Sequence, residues 1–234
     1  MTTTTEENTE RRAPLTRERV VEAAVAYADE HGLEALSMRK LGAELGVEAM
    51  SLYNHISNKD DLFGAIVDAV VDSIDRTIVG DTWVAQMRNL ILSARTVMLQ
   101  HKWAPRVIET RTMISPVLMR YMHSLLEIMR GGGMSYDLAH HAMHALGSRA
   151  LGFSQELFEP DQSDAEEVEA ASSEMMAQMA AELPLMVEML TEIAHDDPDN
   201  TIGWCDDQSE FIFALDIVLE GLERKRLEEV SAAG

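Results

Sequence analysis

The sequence predicts an all-α fold: an N-terminal three-helix helix-turn-helix domain followed by a larger helical domain. Three observations carry that expectation. Apolar residues recur at helical spacing through nearly the whole chain, and no stretch alternates apolar and polar residues long enough to form a strand. Hydrophobic residues make up 46% of the 234 residues, which is enough to build a core. Capping residues and glycines punctuate the periodic segments at intervals of helix length.

Residues 1–13 are polar and are expected to form a disordered arm. Thr16 can cap a helix whose apolar face carries Val20, Ala24, Tyr27 and Ala28 and which stops at Gly32. Ser37 caps a short helix, Met38 to Leu45, closed by Gly46, and a second short helix runs from about Glu48 to His55. Asn58 caps a longer one with Leu62, Phe63, Ile66, Val67, Val70, Val71 and Ile74 on its apolar side. Gly80 interrupts the pattern. Thr82 opens a helix that reaches about Gln100, and a shorter helix follows Trp103. Ser115 with Pro116 is a cap followed by proline at the first helical position, and that helix ends at Gly131-Gly132-Gly133. Ser135 caps a helix expected to run to about Phe158. Pro160 to Asp164 reads as a turn, Ser163 and Glu166 have capping-box spacing, and Pro184 kinks or restarts the helix they open. A loop at 196–200 precedes a last helix from about Gln208 to Val230. The expected division is an arm at 1–13, a helix-turn-helix domain at 14–75 and a larger domain at 76–234.

A formal net charge of −22, taken over the whole chain, argues against nucleic acid, because phosphates need cations. The distribution changes that. Residues 11–60 hold seven Lys/Arg and eight Asp/Glu, whereas residues 61–234 hold 12 and 30. No Lys or Arg occurs from Ala150 to Glu223. That stretch reads as a solvated helix surface, and as a field that keeps the larger domain off DNA. The single cysteine, Cys205, excludes a disulfide framework and a multi-cysteine metal site, and it reads as an incidental thiol. No apolar run approaches the roughly 20 residues of a bilayer span, and the N-terminus has no apolar signal-peptide core. A cytoplasmic protein without membrane contact is expected.

The most informative stretch is Ser37 to Lys59, SMRKLGAELGVEAMSLYNHISNK. Two short helices meet at Leu45-Gly46-Val47, where glycine makes a positive φ cheap. Gly42, one turn earlier, lets the second helix cross closely. Leu41, Leu45, Val47, Leu52 and Ile56 have the spacing to bury against Val20, Ala24, Leu33 and Leu36. Glu48, Ala49, Met50, Ser51, Tyr53, Asn54 and His55 are then left largely outward. This is the helix-turn-helix layout, whose second helix enters the major groove. Ser51, Tyr53 and His55 can donate to phosphates. Arg39, Lys40 and Lys59 supply cations, Lys59 at a helix start whose free N–H groups also favour an anion. Ala49, Met50, Ser51 and Asn54 are candidate base readers, since Asn can bond an adenine edge and Ala can pack on a thymine methyl. The bland alternative is an ordinary helical hairpin with a tyrosine at its edge.

The segments LEALS (33–37), MRKLGAELGV (38–47), SLYNH (51–55) and Asn58-Lys59 followed by Leu62 make residues 14–75 resemble the DNA-binding domain of the TetR family of transcriptional regulators. The resemblance implies that Arg39, Ser51, Tyr53, His55 and Lys59 occupy DNA-contacting positions. Two departures stand out. Gly42 replaces the family's usual Ala, which weakens the helix slightly. Ala49-Met50 replaces the polar residue and proline of tetracycline repressors, so their operator sequence cannot be borrowed.

Trp83, the run Gln100-His101-Lys102-Trp103, the GGGMS turn before Tyr136, Leu151-Gly152-Phe153 and FIFALDIVLEGL (211–222) are similar, more weakly, to the C-terminal domain of the tetracycline-repressor branch. That domain usually has His-Pro-Trp where this chain has His101-Lys102-Trp103. It dimerises through a four-helix bundle and holds a small molecule between helices. The resemblance implies a homodimer with helices 135–158 and 208–228 as the dimer pair. It also implies a small-molecule effector, and a repressor of a palindromic DNA operator rather than an enzyme. Two-fold symmetry makes sense, because one reading helix covers only a few base pairs. The chain has 16 methionines, which read as gap-filling core or as an adaptable apolar pocket. Candidate ligand residues are Trp83, Met98, Trp103, Arg106, Arg111, Met113, Met122, His123 and His144.

The competing reading is a helical-bundle enzyme or metal-binding protein built on His140, His141 and His144. His140 and His144 share a helix face, but the chain reads His-His-Ala-Met-His and lacks His-Glu-x-x-His. One Glu-x-x-His occurs, Glu192 to His195, where a di-iron bundle needs two. The metal-contacting histidine of the tetracycline-repressor branch falls near Ile108, so no metal is carried over. No cofactor is expected, and neither a glycine-rich phosphate loop nor a Gly-x-Ser-x-Gly elbow is present.

Overall fold

The computed structural model describes residues 14–110, 114–153, 182–185, 187–188 and 207–233. Among them every extended regular element is helical: α1 Arg17–His31, α2 Met38–Leu45, α3 Ala49–Leu52, α4 Lys59–Asp72, α5 Trp83–Gln100, α6 Ala104–Thr110, α7 Pro116–Gly131, α8 Tyr136–Leu146 and α9 Asp207–Ala233. Short 3-10 turns occupy Leu33–Ala35 and Gly147–Leu151.

The caps legible in the sequence form. The side chains of Thr16, Ser37, Asn58, Thr82, Ser115 and Ser135 each accept a hydrogen bond from the backbone N–H three residues on, at 2.8–3.3 Å. Each satisfies an otherwise orphaned donor and contributes roughly 1 kcal/mol. At the other ends, Gly32 closes α1 at φ +78° and Gly46 closes α2 in the left-handed region.

Three boundaries differ from expectation. α3 ends at Leu52, not His55; Tyr53 and Asn54 donate to Met50 and Ser51 carbonyls at 3.3 Å, the tightened bonding of a fraying helix end. α8 ends at Leu146, not near Phe158, because Gly147 turns the backbone to φ +50° and a 3-10 turn follows. The 3-10 turn at Leu33–Ala35 occupies a stretch with no expected helix. The arm at 1–13, the Ser163/Glu166 box, Glu192 to His195, the 196–200 loop and Cys205 lie outside the described residues.

The chain divides into two compact units, Met1–Ala139 with Ala150–Gly152, and His140–Arg149 with Phe153–Gly234. The expected boundary at 75/76 falls inside the first. In that unit α4 is central: it packs on α1, α5, α6 and α7, while α2 packs on α1 and α3. Leu62, Ile66, Val67, Val70 and Val71 of α4 are all buried, as are Val20, Ala24, Leu36, Leu41, Leu52 and Ile56. Full burial of one such aliphatic side chain contributes roughly 1.5–3 kcal/mol. Leu33, Leu45 and Val47 are only half-buried, because they sit at the rims of the turns rather than under α1.

Two close approaches lock α5 into place. The Trp83 ring lies on Gly132, where an added Cβ would stand 2.5 Å from the Trp83 Cβ and Cγ. Gly152, at φ +83°, lies so near α5 that a Cβ would meet the Arg95 backbone nitrogen at 2.2 Å. Arg95, buried, donates from Nη1 to the Gly152 carbonyl at 3.3 Å. Tyr121 is buried too, and its hydroxyl donates to the Ala150 carbonyl; burial pushes its phenol well above the usual range.

In the second unit α9 has two faces. Phe211, Leu215, Leu219 and Leu222 are buried, whereas Phe213, Ile217, Leu227 and Val230 are exposed. Among the described residues no helix is long and apolar enough to cross a membrane.

Candidate nucleic-acid interface

The candidate interface is built on the α2–turn–α3 corner. α2 starts at the Ser37 cap and stops where Gly46 adopts φ +66°, ψ +37°; the Val47 N–H then returns to the Gly42 carbonyl at 2.8 Å. Gly42 faces this turn directly. A Cβ there would lie 2.9 Å from the Val47 carbonyl oxygen and 3.2 Å from the Ala49 nitrogen. The absent side chain therefore lets the turn and the start of α3 lie close against α2.

α3 has a single turn, and Glu48 makes no side-chain cap to it. Such a helix cannot hold itself, since one turn costs more in dihedral freedom than its hydrogen bond returns. Leu52 and Ile56, both fully buried, pin it from below. Above them Met50 is 73% exposed and Tyr53 44%. Asn54 and Glu48 are exposed as well. Ala49, Ser51 and His55 are half-buried rather than outward. Ala49 tucks against Gly42, and the His55 backbone is held from α1.

The positive charge at this corner is available. Arg39, Lys40 and Lys59 are exposed and form no ion pair among the described residues. The Lys59 ammonium lies 5.0 Å from the Phe63 ring centroid, which steadies the side chain at the start of α4 without neutralising it. Three exposed cations with no ion pair among the described residues, on the same helix-turn-helix segment as exposed Tyr53, Asn54 and Met50, suit contact with phosphates and base edges.

A network that the sequence did not announce stands behind this surface. Arg17, in the first turn of α1, donates from Nη1 to the His55 carbonyl at 2.8 Å. Its fork also engages Asp61, with Nη2 to Oδ1 at 2.6 Å and Nη1 to Oδ2 at 3.2 Å. Asp61 Oδ2 accepts from the Ser57 N–H at 2.8 Å as well. The Arg17 hydrogen bond first, and the Ser57 N–H next, hold the Asp61 carboxyl down at about 2. Arg17 and Asp61 are 44 residues apart, so no local pattern could have paired them.

The expected ligand residues have varied surroundings. Trp83, Met98 and Trp103 are buried. Trp103 Nε1 donates to Asp29 of α1 at 2.7 Å, and His101 Nδ1 lies 2.9 Å from the same carboxylate. Arg106 is exposed and pairs with exposed Glu34 at 3.3 Å. Met122 is half-buried, and exposed His123 pairs with Glu127 at 3.5 Å. An open cleft of about 450 Å³ is lined by Arg76, Met119, Arg120, His123 and Ser124. Of the expected residues it includes His123 alone. Arg111 and Met113 lie outside the described residues. His144 is exposed on α8, its ring centroid 4.6 Å from that of His140; the His141 ring lies 5.7 Å from His140. Among the described residues no group of three or more His, Cys, Asp or Glu could hold a metal ion.

Comparison with known proteins bears on both halves. Residues 20–66 match the family described as bacterial regulatory proteins, tetR family, and residues 79–226 match the tetracyclin repressor-like C-terminal domain. The HTH-type transcriptional repressor DrrR1 of Streptomyces coeruleorubidus is 37% identical over 123 residues, 52% of this chain and 46% of that protein. This chain thus spans about half the length of the curated relatives it matches. A crystal structure of the TetR family protein ActR from Streptomyces coelicolor, in complex with (S)-DNPA, superposes with a TM-score of 0.63 at 27% identity, covering 90% of this chain and 98% of that one. A crystal structure of BioQ with its double-stranded DNA operator gives a TM-score of 0.50 at 30% identity, over 60% of this chain and 86% of that one.

Proposed function

The chain belongs to the tetR family of bacterial regulatory proteins, and from that premise we propose that it is a cytoplasmic homodimeric repressor. It binds a palindromic operator through the α2–α3 corner and leaves it when a small-molecule effector binds the larger domain. The observation that carries this reading is the α2–α3 surface itself. In a chain of net charge −22, the unpaired cations Arg39, Lys40 and Lys59 flank an exposed Met50, Tyr53 and Asn54. The operator complex of BioQ and the small-molecule complex of ActR support the two halves of the reading.

In the proposed complex Arg39, Lys40, Ser51, Tyr53, His55 and Lys59 position the protein on phosphates, and Ala49, Met50 and Asn54 face bases. The functional division is a reading domain at 14–75 and an effector and dimerisation domain at 76–234. The exposed stripe Phe213, Ile217, Leu227 and Val230 on α9 supports dimerisation, since four large apolar side chains in water on one helix call for a covering surface. Release requires the effector to bind the DNA-free arrangement more tightly than the DNA-bound one.

Tyr53→Ala tests the surface. It removes one phosphate donor from an exposed position, so operator affinity should fall about tenfold or more with the thermal midpoint unchanged. Unchanged affinity in a mobility-shift titration would mean that the reading surface is assigned wrongly.

A further inference from the structure

The structure assigns Arg17 a positioning role in operator recognition: its guanidinium sets where the reading helix stands and does not itself hold the DNA backbone. This rests on the repressor reading above.

The argument starts from what α3 lacks. It is one turn long with no side-chain cap at Glu48, and past its end the Ile56 N–H keeps a helical bond to the Leu52 carbonyl at 2.9 Å. The turn Tyr53–His55 that continues it is held by bonds of 3.3, 3.3 and 2.9 Å from the backbone N–H groups of those residues. Hydrophobic pinning at Leu52 and Ile56 fixes depth but not rotation. The backbone bonds of the turn are local to it; Arg17 adds a directional bond that ties it to α1, at the His55 carbonyl, 2.8 Å away. The guanidinium in turn cannot swing, because its fork is held by both oxygens of Asp61. Asp61 is fixed by its own place in the first turn of α4, where its N–H donates to Asn58 Oδ1 at 2.8 Å and its Oδ2 takes the Ser57 N–H. One planar group thus joins α1, the end of the reading segment and α4. Its charge is already matched by Asp61, so it has little left for a phosphate. A lysine ammonium carries the same charge but cannot make both parallel bonds to the carboxylate and the third to the carbonyl.

The test uses the full-length protein and two variants, Arg17→Lys and Asp61→Asn. The first readout needs no DNA: amide hydrogen exchange of peptides covering residues 49–60 in the free protein. Both variants should exchange faster there, with α1 and the core of α4 unaltered. The second readout is affinity for the inverted repeat that the wild type selects from random duplexes, against a scrambled duplex, over a range of salt. The specificity ratio should fall about tenfold or more in both variants, as for loss of one base-pair contact, with an unchanged salt slope. Two results overturn the inference. One is exchange at 49–60 identical to wild type. The other is a uniform affinity loss on both duplexes in Arg17→Lys with the salt slope reduced by about 1, which marks a phosphate contact. If the wild type selects no repeat, the repressor reading fails, and the exchange experiment alone still decides whether Arg17 orders the segment.

Discussion

The two ends of α1 are held by different chemistry, and the difference separates what stabilises this protein from what aims it. At the first turn, partly exposed Arg17 grips a carboxylate and a carbonyl in the reading corner. At the last turn, Asp29 accepts from the buried Trp103 indole at 2.7 Å and faces His101 Nδ1 at 2.9 Å. The first joint is polar and directional with little buried apolar area. The second seals a large ring against the helix and adds polar bonds at its edge. One 15-residue helix, about 22 Å long, therefore connects the turn after α3 to the α5–α6 corner of the same unit. Losing the second joint should cost stability, and losing the first should cost accuracy.

Trp103→Ala carries the largest expected effect. Removing a buried indole leaves a cavity and deprives Asp29 of a donor, so unfolding free energy should drop by about 3–5 kcal/mol in a denaturant titration. Operator specificity, measured under conditions where the variant is folded, should be retained. Trp103→Phe keeps a ring in the site but loses the N–H and the pyrrole part of the indole; about 1–3 kcal/mol is expected, and a loss as large as that of Trp103→Ala would show that the Asp29 bond, not ring packing, carries the joint. At the other end, Arg17→Lys should cost under about 1 kcal/mol, because the side chain is 44% exposed and solvent screens its ion pair. Equal stability losses at the two ends would erase the distinction.

Acid titration sharpens the same contrast. The Asp61 carboxyl sits at about 2 in the folded protein against an ordinary 3.8. A folded value below the unfolded one contributes stability that is fully present above about pH 4 and is lost as pH falls towards 2. Asp61→Asn should flatten the stability profile across that window relative to wild type. Identical profiles would show that the Arg17 fork does not hold Asp61 in solution. Gly42→Ala carries the smallest effect. Helix propensity favours alanine by about 1 kcal/mol, and the 2.9 Å approach to the Val47 carbonyl opposes it, so a net change under about 1 kcal/mol is expected. A loss above about 2 kcal/mol would show that the turn cannot yield at all.

The order of helices was legible because its signals are local. Thr16, Ser37, Asn58, Thr82, Ser115 and Ser135 each announce a helix start by a side chain that reaches three residues ahead. Gly46 and Gly32 announce ends by a φ that other residues avoid. The helix-turn-helix corner was legible for the same reason, since Leu41, Leu52 and Ile56 are buried and Met50, Tyr53 and Asn54 exposed as their spacing implies. What the sequence hid is long-range. The Arg17–Asp61 fork and the Asp29–Trp103 bond join residues 44 and 74 apart. Trp103 and Arg106 read as ligand candidates because an indole and a guanidinium suit a pocket. Folding gives them partners on Asp29 and Glu34, which no local pattern announces. Gly132 reads as a helix end and Gly152 falls inside an expected helix, yet each lies where a neighbouring residue of α5 leaves no room for a Cβ.

The central claim is that the α2–α3 corner reads a palindrome. Selection of bound sequences from random duplex DNA, with purified ligand-free protein at a stated salt concentration, tests it most directly. An inverted repeat whose half-sites lie about one or more helical turns apart is the predicted result. Absence of any enriched sequence at low salt would contradict it.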